Sequence, residues 1–290
     1  MKKIMLATDF SERSDRALRR ATLLAKKFGA SLSIIHAVDD DQPSRIVESE
    51  SVEASTLLRQ LQDTVQTVDG IPCESRVVLA DAFVGIAQAV DEEAPDLLVI
   101  GPHRRQALRD VFVGTTAERT IRSVACPVLM VNAPPVGPYR HVMLATDLSS
   151  GSKRAVDTCF DLGLTDGVDV SFLHVYDAPA VRLTMSHTIG PEGKDAYLEE
   201  LRSDAAKDLA QFVRQTNLRS SRQLVRFWDH APADEILKAT QEHSVGLVVL
   251  GTEGREGVAK FVLGSVAEAV LRKADCDVLA VPPASASRAS

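Results

Sequence analysis

At 290 residues the chain is long enough for two domains of ordinary size, each with its own core. Its 45% hydrophobic and 25% charged residues make a normal globular balance, and a formal net charge of -7 disfavours a general nucleic-acid binder, which needs a basic surface to release counterions from phosphate. No apolar run approaches the length of a membrane span, and the opening Met-Lys-Lys-Ile-Met-Leu-Ala-Thr-Asp reaches an acidic residue too early for a secretory signal, so a cytoplasmic protein is expected.

Taken in chain order, short apolar runs alternate with helix-period segments, the pattern of βαβ units around a parallel sheet. Strands are expected near residues 3–8, 32–38, 74–80, 96–101 and 127–132, several of them nearly all apolar, as burial on two faces requires. Ser11 stands where a helix N-cap belongs after the first strand. Asp39 to Ser51 is read as a loop, and Leu57, Leu58, Leu61, Val65 and Val68 as the apolar stripe of the next helix. The stretch Ala133-Pro134-Pro135-Val136-Gly137-Pro138 is a stiff connector, which places a boundary near residue 137 and gives domains 1–136 and 137–290.

The second domain repeats the first. Met143-Leu144-Ala145-Thr146-Asp147-Leu148-Ser149 answers Met5-Leu6-Ala7-Thr8-Asp9-Phe10-Ser11, and the pattern D-x-S-x-x-S-x-x-A continues in both to Ala17 and Ala155. His174 keeps the offset from Asp147 that His36 keeps from Asp9, and Val248-Val249-Leu250-Gly251 answers Leu98-Val99-Ile100-Gly101. Strands are expected near 140–146, 169–176, 223–228, 246–251 and 277–282, with a surface loop from Asp177 to Asp195 and a helix stripe of Leu198, Leu201, Ala205, Leu209, Phe212 and Val213. Two ordered copies are too few for a solenoid and make two domains. Cys73, Cys126, Cys159 and Cys276 form no C-x-x-C pair; Cys126 and Cys276 each start a strand-like run and read as buried thiols, and a reducing compartment is expected.

In an open parallel sheet, ligands bind beyond the carboxyl ends of the strands, where strand order reverses. The turn carrying Asp147 and Ser149 and the turn beginning at Gly251 should meet there. Copy two reads Gly251-Thr252-Glu253-Gly254, nine residues, then Gly264-Ser265. Gly251 and Gly254 permit positive φ and close backbone approach, and Gly264-Ser265 opens the last helix, whose free N–H groups and dipole favour phosphate. Ordinary punctuation, a glycine ending a strand and another preceding a helix, explains the same residues almost as well.

The combination of T-D-x-S after the first strand with G-x-x-G-x9-G-S after the fourth resembles the ATP-binding subgroup of the universal stress protein family, over nearly the whole chain. The resemblance implies two doubly wound α/β domains in tandem, each a parallel five-stranded sheet of the adenine nucleotide alpha-hydrolase-like type with strand order 3-2-1-4-5. It implies ATP, ADP or AMP in copy two: Ala145, Thr146, Asp147 and Val175 on the adenosine side, Gly251, Gly254, Gly264, Ser265 and Val266 on the phosphates. It also implies an intrachain pseudo-dimer with the final strands near 127–132 and 277–282 at its interface; a further homodimer is left open, and the sequence does not name the protein partner.

Copy one departs from this pattern, reading Gly101-Pro102-His103-Arg104, nine residues, then Gly114-Thr115. A non-glycine residue is penalised wherever φ must be positive, and its side chain would occupy phosphate space, so copy one is expected to have lost ordinary ATP binding. Arg104 and Arg105 either supply charge to an anionic ligand or are solvated loop residues. Glu253 and Glu256 either help to hold Mg²⁺ or are solvated carboxylates, and Arg255 and Lys260 carry the same pair of readings. His36 and His174 read as packing residues with one satisfied nitrogen. There is no nucleophile elbow, Walker lysine or paired-histidine metal helix, so a binding protein is expected, with a slow ATP hydrolase and a nucleotide-free interaction module as the rival classes.

Overall fold

The computed structural model describes residues 1–102, 116–182, 191–218, 221–253 and 263–283. In the first half, β1 (Lys3–Ala7), β2 (Ser31–Val38), β3 (Cys73–Leu79), β4 (Leu97–Ile100) and β5 (Val128–Met130) alternate with α1 (Glu12–Phe28), α2 (Ser44–Asp69), α3 (Ala82–Glu93) and α4 (Thr116–Ser123). Every pairing among β1 to β5 is parallel, in the order β3-β2-β1-β4-β5. Ile4, Met5, Leu6, Leu97, Leu98 and Val99 are wholly inaccessible, because helices cover both faces of the central strands. Each such side chain contributes roughly 1.5–3 kcal/mol relative to exposure.

Helix α1 shows how local sequence sets its ends. The Ser11 hydroxyl accepts the Ser14 N–H, Glu12 and Asp15 occupy the first turn, and Lys26 and Lys27 the last. Gly29, at φ 63°, closes the helix by donating to the Ala25 carbonyl. Ser14, Ala17, Ala21, Leu24 and Ala25 form its buried face.

Helix α2 corrects two expectations. It begins at Ser44, so most of the segment read as a loop from Asp39 to Ser51 is helical. Its first two turns are almost entirely solvated and carry no apolar period, which hid them from a pattern search. The buried positions are Ala54, Leu58 and Val65, whereas Val68 is 75% exposed and Leu57 also faces water. The covered stripe is therefore narrower than five apolar side chains suggested.

In the second half, β6 (His141–Thr146), β7 (Asp169–Tyr176), β8 (Arg222–Phe227) and β9 (Leu247–Gly251) take the order β9-β6-β7-β8, again with parallel pairings, repeating β4-β1-β2-β3. The helices are α5 (Ser150–Asp161), α6 (Pro179–Arg182), α7 (Pro191–Arg214), α8 (Pro232–Glu242) and α9 (Ser265–Lys273). Of the expected loop from Asp177 to Asp195, α6 and the start of α7 are helical, and 183–190 lie outside the described residues. Proline at the first position of α7 is compatible with a helix start, since that residue's N–H has no partner in any case.

The final strand, β10 (Asp277–Val281), runs antiparallel to β5, with Leu279 opposite Leu129. The chain resolves into two compact units: one holds Met1 to Pro138 together with β10, the other the elements from β6 to α9. Within the first unit, the Asp277 carboxylate accepts from Arg20 Nε at 3.0 Å and from the backbone N–H groups of Asn132 and Ala133 at 3.0 and 3.1 Å. Arg20 also donates to the Gly137 carbonyl at 2.7 Å. Both charged side chains are buried, Asp277 completely.

All four cysteines are buried and unbridged. Burial pushes the Cys159 thiol up to about 12, and burial with the neighbouring Glu74 charge pushes Cys73 up to about 11, so both are thiols at neutral pH. Among the described residues no helix is long and apolar enough to cross a membrane.

Candidate functional site

The turn after β6 is built by side chains folding back on the backbone. The Thr146 hydroxyl accepts from the Leu148 N–H at 2.9 Å, and Asp147 Oδ1 accepts from the Ser149 N–H at 3.0 Å and the Ser152 hydroxyl at 2.6 Å. Ser149 in turn caps α5 by accepting the Ser152 N–H at 3.2 Å. Leu148 sits at φ 66°, a left-handed backbone that costs a non-glycine residue about 1–2 kcal/mol. The reward is a carboxylate fixed at the carboxyl edge of the sheet. His174 Nδ1 donates to the Thr146 carbonyl at 2.9 Å, which pins β7 to the same turn, in line with one satisfied nitrogen. Ala145 and Thr146 are buried, and Val175, one position beyond the Thr146–His174 pair, is half-buried.

Gly251 ends β9 against this turn. A Cβ on it would lie 3.1 Å from the Gly151 carbonyl oxygen and 3.2 Å from its carbon. Gly251 is not in the left-handed region. Its lack of a side chain is required by close approach to the protein's own first helical turn, rather than by φ. From there the glycine segment returns to its origin: the Gly264 N–H donates to the Thr252 carbonyl at 2.9 Å. Gly264 is the N-cap of α9 and offers no side-chain cap, so the first N–H groups of that helix have no intrahelical acceptor. Ser265 is exposed and Val266 half-buried. Asp147, Gly251, Gly264 and Ser265 are thus brought to one edge of the second unit. Gly254, Arg255, Glu256 and Lys260 lie outside the described residues. Glu253 is paired with Arg154 at 3.5 Å, which argues for a structural partner over a bare carboxylate.

The first unit holds the twin turn. Asp9 Oδ1 accepts from the Ser11 N–H at 3.0 Å and from the hydroxyls of Ser11 and Ser14, Phe10 takes φ 57°, and His36 Nδ1 donates to the Thr8 carbonyl at 2.7 Å. Burial works to raise the Asp9 carboxyl, but the Ser11 and Ser14 hydrogen bonds, with Arg13, outweigh it and hold it below the usual aspartate range. The sign follows: a depressed folded value gives stability that is present above the unfolded pKa and lost as pH falls through the folded one. Ser14→Ala is therefore expected to raise the Asp9 pKa in an NMR carboxyl titration. Its stability deficit, about 1 kcal/mol at neutral pH, should shrink on acidification. A deficit that does not change with pH would contradict this.

Beside that turn lies a cavity of about 450 Å³, with Asp9, Arg13, His36, Gly101, Pro102 and Thr120 among its lining residues. The sequence reading passed over Arg13 and Thr120. The signal was available for Arg13: the offset that pairs Asp9 with Asp147 pairs Arg13 with Gly151. His103, Arg104, Arg105, Gly114 and Thr115 lie outside the described residues.

The repetition of the first half in the second agrees with comparison to known proteins. A model of the universal stress protein family matches residues 1–132 and again 138–282. The chain belongs to the universal stress protein family. As a tandem member it is similar along its length to universal stress protein E of Salmonella typhi, at 24% identity over 97% of this chain and 94% of the relative. A solved universal stress protein from Archaeoglobus fulgidus superposes with TM-score 0.68 at 19% identity, covering 97% of this chain and 98% of its own, which supports the fold. A universal stress protein solved in complex with cAMP matches 45% of the chain at 24% identity and TM-score 0.39.

Proposed function

We propose that the C-terminal half of this universal stress protein binds an adenine nucleotide, ATP foremost, and that occupancy alters a surface read by a partner protein. The observation that carries the reading is the convergence of three features at one sheet edge: the anchored Asp147 carboxylate, the bare Gly251 backbone, and the uncapped start of α9 tied back by Gly264 to Thr252. A fixed carboxylate suits ribose hydroxyls or an adenine amine. Exposed backbone N–H groups at a helix start suit phosphates. On this reading Ala145, Thr146, Asp147 and Val175 hold the adenosine, Gly251, Gly254, Gly264, Ser265 and Val266 hold the phosphates, and Mg²⁺ accompanies the polyphosphate to neutralise its charge.

The described residues of the turn show no group poised as a general base: Asp147 Oδ1 is engaged by Ser149 and Ser152, and Glu253 by Arg154. The reading is therefore of a sensor or adaptor. Its test is calorimetric titration with Mg-ATP: Gly254→Arg should weaken binding by about 100-fold or more, equivalent to some 2.7 kcal/mol. Affinity unchanged in that variant would reject the assignment.

A further inference from the structure

The seam between β5 and β10 is symmetric in sequence. The repeat sets Cys126-Pro127-Val128-Leu129-Met130-Val131 against Cys276-Asp277-Val278-Leu279-Ala280-Val281. In the antiparallel pairing Leu129 lies opposite Leu279, Val128 opposite Ala280 and Met130 opposite Val278. Each residue of β5 therefore faces the repeat equivalent of a residue of β5 itself. The β5 of a second copy of this chain fits the same register, Leu129 opposite Leu129, which is the self-complementarity that a two-fold contact needs. All six side chains are buried and apolar, so they favour either partner for β5.

Charge at the head of β10 breaks the symmetry. The buried Asp277 carboxylate accepts from Arg20 Nε and from the backbone N–H groups of Asn132 and Ala133. Neither member of the ion pair is repeated: Pro127 stands in the place of Asp277 in the first repeat, and Thr158 in the place of Arg20 in the second. A second β5 would therefore bring Pro127 to the position of Asp277. The Arg20 guanidinium would be enclosed without that carboxylate, and two backbone donors would lose their acceptor. Removing one partner of a buried pair is strongly unfavourable even where the pair itself adds little to stability. In a symmetric dimer the penalty falls once on each copy. A cost laid on the wrong partner is how an otherwise ambiguous contact becomes specific.

We propose that the Arg20–Asp277 pair selects the partner of β5: it admits β10 of the same chain and refuses β5 of a second copy. The inference stands apart from nucleotide binding. Its test moves the carboxylate from β10 to β5 in the full chain and reads self-association by sedimentation equilibrium. Pro127→Asp combined with Asp277→Pro gives each strand the head residue that its repeat twin already carries. The acceptor is then offered to Arg20 of a second copy and withdrawn from Arg20 of the same chain. Self-association should become at least about 100-fold tighter than in the parent. Adding Arg20→Met should cancel most of that gain, whereas association through a merely loosened seam would persist. Arg20→Met with Asp277→Asn removes the charge at both ends and keeps an oxygen for the backbone donors, so it tests the selection even if the moved carboxylate prevents folding. It should associate about tenfold more tightly than the parent, because nothing then penalises the second copy. The proposal is overturned if the moved carboxylate leaves association unchanged in a folded chain, if Arg20→Met fails to reverse its effect, or if the neutral pair associates no more tightly than the parent.

Discussion

Asp277→Ala is expected to destabilise the first unit by about 3–5 kcal/mol, the largest loss from any single side chain considered. Asp277 opens β10 wholly buried, and its carboxylate is the acceptor for Arg20 and for two backbone N–H groups at Asn132 and Ala133. Truncation leaves the guanidinium of Arg20 buried without its counter-charge, and two backbone donors lose their acceptor, so the penalty exceeds the net value of the pair. The remedy is to remove the charge at both ends. Arg20→Met combined with Asp277→Asn keeps an oxygen for the backbone donors and should recover at least half of the loss. Urea unfolding of the two variants and the parent measures it. Asp277→Ala within 1 kcal/mol of the parent would show that the pair does not hold β10 in place.

Gly251→Val is expected to weaken nucleotide binding strongly, with a smaller cost in stability. Even a Cβ at Gly251 falls 3.1 Å from the Gly151 carbonyl, and this neighbour is backbone in the first turn of α5, which has little room to move. The branched valine must push β9 away from α5, and with it the anchor of the Asp147–Ser152 hydrogen bond. A misfit of this kind costs about 1–3 kcal/mol of stability. Binding should suffer more, because the carboxylate and the glycine backbone must stay in register to hold one ligand. Loss of affinity should reach about 100-fold for valine and about tenfold for Gly251→Ala, some 1.4 kcal/mol. Gly101 is the control: its Cβ would lie 3.0 Å from the Arg13 carbonyl, so Gly101→Val strains the first unit equally. It should leave ATP affinity unchanged. Equal effects from the two glycines would mean that strain, rather than the site, governs binding.

Much of the architecture was legible because it rests on period and repetition. The buried central strands announce themselves as unbroken apolar runs, and the Thr-Asp-x-Ser turn appears twice with its histidine at a fixed offset. The solvated start of α2 was hidden because helices that face water carry no apolar period. The final strands near 127–132 and 277–282 were expected at an interface, but the antiparallel pairing of β10 with β5 and the device that secures it were not. Arg20 and Asp277 are far apart in sequence, and a charged residue heading a strand reads as an exposed end until its partner is seen. At the site, the glycines were found for a partly different reason from the one that operates. Spacing suggested freedom of φ, whereas Gly251 is required by contact with Gly151. Arg13 and Thr120 belong to no motif; for Arg13 the repeat alone carried a sign, since the residue at the same offset in the second half is Gly151.

On the proposed function, the C-terminal half alone holds the nucleotide. The direct measurement is the stoichiometry of ATP bound to the intact protein by calorimetry, with Mg²⁺ present. One ATP per chain, falling to none in Gly254→Arg, is the predicted result. Two per chain, or one that survives Gly254→Arg, would contradict it.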